Sequence, residues 1–367
     1  MRILLIGEYS NVHATLAEGL RALGQQVTVV SNGDFWKDYP RDIDLSRRPG
    51  KWGGLAYLAK TMATLHKLRG YDVVQLINPM FLELKAERIA PIYKYLRKHN
   101  KKVFLGAFGM DYYWVHENIT RMPLRYSDFN IGNHLRDDEP AMRERRDWIG
   151  TAKESLNKMI AEDCDGIIAG LYEYWACYGP LFPHKTTFIP FPIKPKTQPM
   201  AHQEGSAPHP LRLFIGIGKG RSAYKGTDIM LQAAQDVVNR YPTRASLTVT
   251  ENLPYSEYVR AMEGCDILLD QLYSYTPGMN GLIGMSKGLI CVGGGEPELY
   301  ELEEESELRP IINVWPTYEA VFQALEQLVL HPEQIPLLKK QSVEYIMRHH
   351  HYKKVAMRYE ALYESFF

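Results

Sequence analysis

Two short apolar runs on either side of a helix-like segment, between Gly264 and Glu298, restrict the fold more than any other part of the sequence. The runs, Ile267–Leu269 and Leu289–Val292, have the length and composition of buried strands. The segment between them, Gly278 to Lys287, is rich in small residues and long enough for a short helix. We therefore predict one β-α-β unit of a parallel sheet. In such sheets ligands bind beyond the carboxyl ends of the strands.

The first half of the chain repeats this alternation of strand and helix. Ile3–Ile6 is predicted to be a buried strand, and a helical pattern from about Asn11 to Leu23 leads to a second strand at Val27–Val30. Residues 34–54 hold charges, proline, glycine and two tryptophans, which favours a loop. Further strands are expected at Val73–Ile77, Val103–Gly106 and Gly166–Ala169, and further helices over about Leu55–Leu68 and Glu83–His99. The fold class is therefore predicted as α/β with doubly wound parallel sheets.

A proline-rich segment divides the chain. Six prolines occur between Pro190 and Pro210 without any apolar periodicity, and a new strand pattern starts at Leu211. We predict a Rossmann-like domain over residues 1–190, a linker over 191–210 and a second Rossmann-like domain over 211–348. Residues 349–367 are predicted to form a C-terminal helix that crosses back to the first domain.

The composition of the chain indicates its domain count and restricts the kinds of partner it is expected to bind. The 367 residues are 45% hydrophobic, which suits two domains with buried cores. Lys+Arg and Asp+Glu both number 43, so no strongly electrostatic partner such as nucleic acid is expected. Four cysteines without a Cys-x-x-Cys pair indicate reduced thiols and a cytoplasmic location. No run approaches the length of a membrane span, whereas peripheral membrane contact and the oligomeric state stay open.

The turn that opens the second domain has the chemistry of a diphosphate site. It follows a predicted strand, precedes a predicted helix, and carries Gly218, Arg221 and Lys225. Arginine offers a planar fork of donors, lysine a point charge, and the glycines and helix N-terminus offer N–H groups. The alternative is a basic surface turn.

A second anion site is predicted where the helix of the β-α-β unit begins. The first-turn N–H groups around Gly278 and Met279 could receive a phosphate. Thr276 and Asn280 are candidate side-chain donors to phosphate or sugar. The three glycines Gly293 to Gly295 allow the backbone to come very close to a bound group.

These loops resemble the donor-sugar half of retaining nucleotide-sugar glycosyltransferases with the GT-B fold, most like the family-4 group. The turn with Arg221 and Lys225 is similar to that family's G-R-x-x-x-K-G loop, one residue shorter. Gly284-Met285-Ser286-Lys287-Gly288 resembles the A-M-A-x-G helix end, and Gly294-Gly295-Glu296-Pro297-Glu298 resembles the Gly-Gly-x-x-Glu turn. Two glutamates that the family places eight positions apart are replaced here by Tyr275 and Ile283.

The resemblance implies two Rossmann-like domains facing a cleft and a metal-independent, retaining transfer. The co-substrate would be a nucleotide-diphosphate sugar, the acceptor a carbohydrate or a lipid-linked glycan, and no cofactor or metal is expected. Arg221 and Lys225 would neutralise the leaving diphosphate. Tyr275 would lie at the donor, and Glu296 and Glu298 would bind ribose or sugar hydroxyls, their alternative being a simple acidic loop.

The same resemblance directs attention to strand ends in the first half. Glu8, Tyr9 and His13 would face the acceptor; the alternative is an ordinary turn with a helix N-cap at Ser10 or Asn11. Asp111 would be an acceptor-side base or hydrogen-bond partner, or else only a helix N-cap. Tyr112 and His116 are acceptor candidates beside it. The Arg-rich region Ile119 to Trp148 is either an acceptor-binding insertion or a solvated charged surface.

Two other functions stay open. The loss of the paired glutamates supports a catalytically inactive nucleotide-sugar or glycan-binding module. A nucleotide-sugar epimerase of the same fold is the other alternative. Polysaccharide biosynthesis is the expected setting of the transferase.

Overall fold

A computed structural model describes residues 1–195, 210–218, 220, 222–253 and 255–367. The chain divides into two compact units. The first comprises Met1–Leu124, Met142–Pro192 and Tyr352–Phe367, and the second comprises Arg125–Ala141 and Ile193–His351. Arg125–Ala141, which the sequence analysis put in the N-terminal domain, thus packs with the second unit. The last helix packs with the first.

The first unit is built on a parallel seven-stranded sheet. Its strands are β1 (Arg2–Ile6), β2 (Gln26–Ser31), β3 (Ile43–Asp44), β4 (Val73–Leu76), β5 (Lys102–Ala107), β8 (Gly166–Ala169) and β9 (Thr186–Phe188). Their order across the sheet is β3-β2-β1-β4-β5-β8-β9. The change of direction between β1 and β4 is the switch point at which doubly wound sheets place ligands.

Helices and short 3-10 turns complete the first unit. They are α1 (Val12–Ala22), α2 (Gly50–Thr64), α3 (Ala86–His99), α4 (Tyr112–Thr120), α5 (Glu139–Trp148), α6 (Ala152–Asp163), α7 (Tyr172–Tyr178) and α15 (Tyr352–Glu364), with 3-10 turns at Phe35–Lys37 and Leu65–Lys67. The start of α2 at Gly50 corrects the predicted loop over residues 34–54. Glycines at positions 50, 53 and 54 weaken the local helix signal there.

The second unit contains a parallel five-stranded sheet of order β11-β10-β12-β13-β14. The strands are β10 (Leu211–Ile217), β11 (Ala245–Glu251), β12 (Ile267–Leu269), β13 (Ile290–Gly293) and β14 (Ile312–Asn313). The helices are α8 (Ser222–Lys225), α9 (Thr227–Arg240), α10 (Tyr255–Ala261), α11 (Met279–Ser286), α12 (Pro297–Leu302), α13 (Tyr318–Leu330) and α14 (Ile335–Tyr345), with a 3-10 turn at Pro332–Gln334 and a π-helical turn at Ile346–His350. An antiparallel hairpin, β6 (Asn130–Ile131) and β7 (His134–Leu135), completes the unit.

Both faces of the second sheet are covered, as parallel sheets require. Alternate strand residues such as Leu213 and Leu269 pack with α9 and α13, whereas Phe214 and Leu268 pack with Met262 on the opposite face. Strands β12 and β13, which precede and follow α11 in the sequence, pair in parallel. The predicted α/β architecture is confirmed.

Candidate functional site

The predicted phosphate turn and the loop after β12 lie against each other in the second unit. The N–H of Leu272 donates to the carbonyl of Lys225 at 2.9 Å. Gly226 has a φ of 70°, and a Cβ at that position would lie 2.9 Å from the Cβ of Leu272. Lys225 is half-buried and Gly218 is exposed just after β10. The turn and the β12–α11 loop therefore form one surface at the carboxyl edge of the sheet. Arg221, the other predicted cation of this turn, lies outside the described residues.

Asp270 holds the start of α11. Its Oδ2 accepts the N–H of Gly278 at 2.7 Å, and a Cβ at Gly281 would approach the same oxygen to 2.8 Å. Burial raises the pKa of Asp270, while the charge of Lys225 and the N–H groups of Gly278 and Gly281 oppose that rise. A carboxylate of the chain thus already lies at the helix N-terminus that the sequence predicted as an anion site. Sequence reasoning did not single out Asp270, although an Asp directly after a strand was an available signal.

The predicted donor residues at this helix differ in accessibility. Gly278 and Met279 are half-buried and Asn280 is exposed, so the outer surface of the first turn is open. Thr276 is only 2% exposed, and its carbonyl accepts from the hydroxyl of Ser274 at 2.6 Å. The Thr276 side chain is therefore enclosed, which leaves Asn280 as the accessible polar side chain of the pair.

The glycine run after β13 packs against the protein itself. A Cβ at Gly294 would lie 2.1 Å from the carbonyl oxygen of Ser274, so only glycine fits this contact. Two residues later the N–H of Glu296 donates to the carbonyl of Tyr275 at 3.1 Å. The close backbone approach that the sequence predicted is therefore made to the β12–α11 loop, which it fixes in place.

Arg125 contacts Tyr275 on the β12–α11 loop as well as Glu296 and Glu298, which follow the glycine run. Its backbone N–H donates to the hydroxyl of Tyr275 at 2.7 Å, and its guanidinium lies 5.0 Å from the centre of the Tyr275 ring. The guanidinium donates a fork of two hydrogen bonds to Glu298 and a further one, at 2.7 Å, to Glu296. Glu296 also accepts the hydroxyl of Tyr126 at 2.5 Å.

Contacts within this cluster hold the carboxyl groups of Glu296 and Glu298 in place. Glu296 is 6% exposed and satisfied by Arg125 and Tyr126. Burial opposes ionisation of Glu298, but the Arg125 guanidinium outweighs it and holds the pKa of Glu298 below its ordinary value. Both glutamates of the pair contact Arg125.

Tyr275 and Ile283, which stand where the resembled family has glutamates, lie in different surroundings. Tyr275 is 2% exposed and its ring lies 5.1 Å from that of Tyr126. Ile283 packs against the apolar cluster around Phe214 and Leu268. This apolar contact at the half-buried position 283 suits isoleucine better than a carboxylate.

Segment Arg125–Ala141 reaches both loops of the second unit. Arg136 lies 3.7 Å from the centre of the Tyr273 ring and donates to the carbonyl of Ala223 at 3.0 Å. The hydroxyl of Tyr224 donates to Asp128 at 2.8 Å. The Arg-rich region was predicted as an acceptor-binding insertion or a solvated charged surface, and this part of it contacts the Lys225 turn and the β12–α11 loop. No local pattern signals these contacts, because the hydrogen-bond partners lie 87 and 96 residues away in sequence.

In the first unit, Glu8 caps helix α1. Its Oε2 accepts the N–H of Ala14 at 2.8 Å and its Oε1 accepts that of His13 at 3.2 Å. Glu8 is 3% exposed, and burial raises its pKa to about 8. The helix cap expected at Ser10 or Asn11 is thus supplied by the buried carboxyl group of Glu8.

His13 is a core residue. It has no exposed surface, its Nδ1–H donates to the carbonyl of Gly7 at 2.8 Å, and Gln75 lies 3.3 Å from its Nε2. The hydroxyl of Tyr363 in α15 donates to Gln75 in turn. Burial lowers the pKa of His13 to about 3, so the ring is neutral. This enclosure corrects the expectation that His13 contacts an acceptor.

Three strand ends of the first unit meet around Tyr9. The half-buried Tyr9 ring faces Gly109, where a Cβ would come within 3.2 Å of it. The Asn78 amide donates to the carbonyl of Met110 at 3.2 Å. The loops after β1, β4 and β5 therefore form a common surface at the switch point of this sheet.

Asp111 is the N-cap of α4. Its Oδ1 accepts the N–H of Trp114 at 2.8 Å, and its Oδ2 accepts the hydroxyl of Tyr178 at 2.8 Å. The residue has no exposed surface, and burial raises its pKa to about 7. The cap that the sequence left open is present. Tyr112 is 4% exposed and its ring stacks on that of His116, which is half-buried.

Metal-ligand geometry is absent from the described part of the chain, which brings no three His, Cys, Asp or Glu side chains into such an arrangement. Two Asp-x-Asp sequences occur, and their carboxylates form ion pairs. Asp42 and Asp44 pair with Arg21 and Arg41 at 2.6 Å each. Asp163 and Asp165 both pair with Arg97. Among the helices of the described residues, none combines the length and the apolar character needed to cross a membrane.

Solved structures resemble the whole chain. Sucrose-phosphate synthase from Thermosynechococcus elongatus has a TM-score of 0.64 at 16% identity, over 100% of this chain and 99% of that one. HepE from Anabaena in complex with UDP-glucose has a TM-score of 0.60 at 13% identity, over 100% of both chains. UDP-GlcNAc 2-epimerase from Neisseria meningitidis bound to UDP-GlcNAc has a TM-score of 0.54 at 11% identity, over 99% and 100%. No protein-family model matches the sequence, and neither does any curated protein.

At these identities the likeness shows the fold. The chain has the GT-B fold, and the prediction of two Rossmann-like domains of that class is confirmed.

Proposed function

We propose that this protein is a glycosyltransferase that moves a sugar from a nucleoside-diphosphate sugar to a carbohydrate or lipid-linked acceptor. The observation that carries the proposal is the contact between the Lys225 turn and the β12–α11 loop, closed by the Leu272 hydrogen bond. It brings a cation and the α11 N-terminus to one strand edge, which suits a diphosphate. A protein of the same fold, Anabaena HepE, has been solved with UDP-glucose.

In this proposal Lys225 neutralises the departing diphosphate, and Arg221 assists it. A fixed cation at the leaving group stabilises charge that develops in the transition state. Gly218, the half-buried Met279 and the exposed Asn280 in the first turn of α11 supply further donors. No metal is required for these roles.

The acidic pair divides its work. Glu296 is enclosed and its carboxylate already accepts hydrogen bonds from Arg125 and Tyr126, so we assign it a positioning role. Glu298 is more open, with 27% of its side chain exposed, and is the better candidate for a sugar or ribose hydroxyl. Tyr275 positions Arg125 and shapes the loop.

The transfer is proposed to retain configuration, as the family resemblance implies. Asp111 is enclosed and both of its oxygens accept hydrogen bonds, so the departing phosphate is the better base. Tyr9 and His116 keep exposed surface and remain the acceptor candidates of the first unit. The proposal includes a cytoplasmic location and a role in polysaccharide biosynthesis, with which four buried free thiols are compatible.

Two observations support alternatives. The Asp270 carboxylate at the start of α11 repels a phosphate there, which favours a module that binds a sugar nucleotide weakly and does not turn it over. The likeness to UDP-GlcNAc 2-epimerase favours an epimerase.

One turnover assay separates the three functions. The purified chain is incubated with labelled UDP-, GDP- and ADP-sugars, with and without a panel of glycan acceptors, and the nucleotide and sugar products are separated. Release of a nucleoside diphosphate with transfer of label supports the transferase, and the Lys225→Ala variant should lose most of it. Conversion of the sugar with the nucleotide still attached identifies an epimerase. Binding without any product identifies the inactive module. The matched control is Lys340→Ala, an exposed lysine of α14.

A further inference from the structure

Helix α2 of the first unit presents an apolar face to solvent. Trp52 is 84% exposed, the highest value of any large apolar side chain that the structure describes, and Leu55 and Met62 are each 54% exposed. The opposite face is buried through Tyr57 and Thr61. The backbone N–H of Glu83 donates to the Tyr57 hydroxyl at 3.1 Å, so the helix is held by its inner face.

The exposed apolar residues form one stripe. Positions 52, 55, 59 and 62 recur at helical spacing and carry Trp, Leu, Ala and Met, with exposed alanines at positions 56 and 63 beside them. By the α-helical repeat, Lys51 lies about 60° to one side of the centre of these four positions and Lys60 about 120° to the other side. An apolar stripe between two lysines is the pattern of a helix that lies in a membrane interface.

The surrounding sequence is strongly basic. Between Leu45 and Arg69 there are six Lys or Arg residues and no Asp or Glu, although the whole chain has zero net charge. All six cations are exposed. The acids of the preceding loop form ion pairs: Asp42 with Arg21, Asp38 with Arg41, and Asp44 with both Arg41 and Lys60. The concentration of positive charge around one apolar stripe therefore needs an explanation.

We propose that the outer face of α2 docks on an anionic lipid surface. The stripe of Trp52, Leu55 and Met62 would enter the headgroup boundary, where tryptophan is favoured, and the flanking lysines would meet lipid phosphates. Each basic residue near such a surface adds to the attraction, which salt weakens. The inference does not rest on the proposed reaction, because the surface lies apart from the Lys225 turn in sequence and binding is measured without donor or acceptor.

A second copy of the chain fits this face less well. A symmetric dimer places the same surface of each copy against the other. Each face would carry Lys51 and Lys60, with Asp44 beside Lys60 as its ion-pair partner, and the excess of positive charge between Leu45 and Arg69 would repel its copy. An anionic bilayer matches both the charge and the apolar stripe.

Flotation with lipid vesicles tests the proposal on the full chain. Vesicles of phosphatidylcholine alone are compared with vesicles that also contain phosphatidylglycerol, at low and high salt. We expect binding to the anionic vesicles, weakened by salt. Trp52→Gln/Leu55→Gln/Met62→Gln and, separately, Arg48→Gln/Lys51→Gln/Lys60→Gln should each lower the partition coefficient at least about tenfold. Circular dichroism and melting curves check that the variants are folded.

The matched control replaces apolar side chains that are also exposed, in Leu181→Gln/Leu337→Gln/Met357→Gln, whose native residues are 44%, 58% and 56% exposed. It should bind vesicles like the wild type. Absence of wild-type binding to either vesicle, or equal binding by the folded α2 variants, would overturn the proposal. So would a dimer in sedimentation that the apolar α2 variant abolishes, because a second copy would then cover the face.

Discussion

The guanidinium of Arg125 lies over the ring of Tyr275, 5.0 Å from its centre, and the backbone N–H of the same arginine donates to the Tyr275 hydroxyl at 2.7 Å. The two residues are 150 positions apart in sequence. Arg125 also binds both Glu296 and Glu298. A segment from the first half of the chain therefore packs on the surface at which we propose that the donor binds.

Replacing Arg125 tests this brace. Arg125→Gln leaves the buried Glu296 and the half-buried Glu298 close together without their shared cation, so we expect the free energy of unfolding to fall by about 1–2 kcal/mol. Arg125→Lys keeps the positive charge but loses the forked pair of hydrogen bonds. Its free energy of unfolding should therefore lie between those of the wild type and Arg125→Gln. Chemical denaturation measures the change. Arg143→Gln, an exposed arginine beside Glu144, is the control and should leave stability unchanged within about 0.5 kcal/mol. An Arg125→Gln protein as stable as the control would show that the cluster is not a brace.

Tyr275 separates a hydroxyl effect from a ring effect. Tyr275→Phe removes only the acceptor of the Arg125 N–H, for an expected loss of about 1–2 kcal/mol in stability. Tyr275→Ala also empties a buried site, which costs about 3–5 kcal/mol. For donor affinity, measured by calorimetry on folded protein, we expect Tyr275→Ala to bind a nucleotide sugar more weakly and Tyr275→Phe to keep most of the affinity. A dissociation constant unchanged in Tyr275→Ala would exclude a role for this residue at the donor.

Asp270 predicts an unusual gain of affinity. Asp270→Asn keeps an oxygen that can accept from Gly278 N–H but removes the negative charge at the α11 N-terminus. If a diphosphate binds there, its affinity should rise several-fold, because a like charge is removed from a partly desolvated site. Titration calorimetry with nucleoside diphosphates measures it, and Asp228→Asn in α9 is the comparison. Weaker or equal binding by Asp270→Asn would place the phosphate elsewhere.

Glu8 gives stability a defined pH dependence. Its pKa is raised from 4.5 to about 8 in the folded protein, so folding favours the protonated form. Its contribution to stability is full below about pH 4.5 and is lost as the pH rises through 8. Glu8→Gln stays neutral, so its stability relative to wild type should increase across this window by a few kcal/mol and level off above it.

Melting curves from pH 4 to 9 measure this difference, with Glu18→Gln on the exposed side of the same helix as the control. A constant difference between Glu8→Gln and wild type over the whole range would contradict the inferred burial of a neutral Glu8.

Local pattern was enough for the parallel architecture. The predicted strand Ile267–Leu269 is β12, the predicted strand Gly166–Ala169 is β8, and the helix between β12 and β13 differs from its predicted range by one residue at each end. These elements are short apolar runs bounded by glycine or polar residues, so composition and period alone define them. The glycines that begin α2 are the counterexample, because tertiary contacts through Tyr57 overrode a weak local propensity.

The site was less accessible to sequence reasoning because its contacts are long-range. The partners of Arg125 lie about 170 residues away, and nothing near position 125 indicates them. His13 and Glu8 carry chemically active side chains, yet burial turns both into internal groups that the sequence alone cannot distinguish from ligands. Asp270 was visible as an Asp at a strand end, but its use as the α11 cap depends on the conformation of the intervening loop.

Nucleotide binding tests the central claim most directly. A thermal-shift screen with UDP, GDP, ADP, CMP and their sugars is made on wild type, Lys225→Ala, Arg221→Ala/Lys225→Ala and the Lys340→Ala control. A ligand that binds only the folded state at a hundred times its dissociation constant adds about 2.7 kcal/mol of stability, enough to raise the melting temperature by several degrees. We predict such a shift for one nucleoside diphosphate and its sugar, kept in Lys340→Ala and lost in the variants that remove Lys225. No shift with any nucleotide, or one that survives in the double variant, would contradict a donor site at this turn.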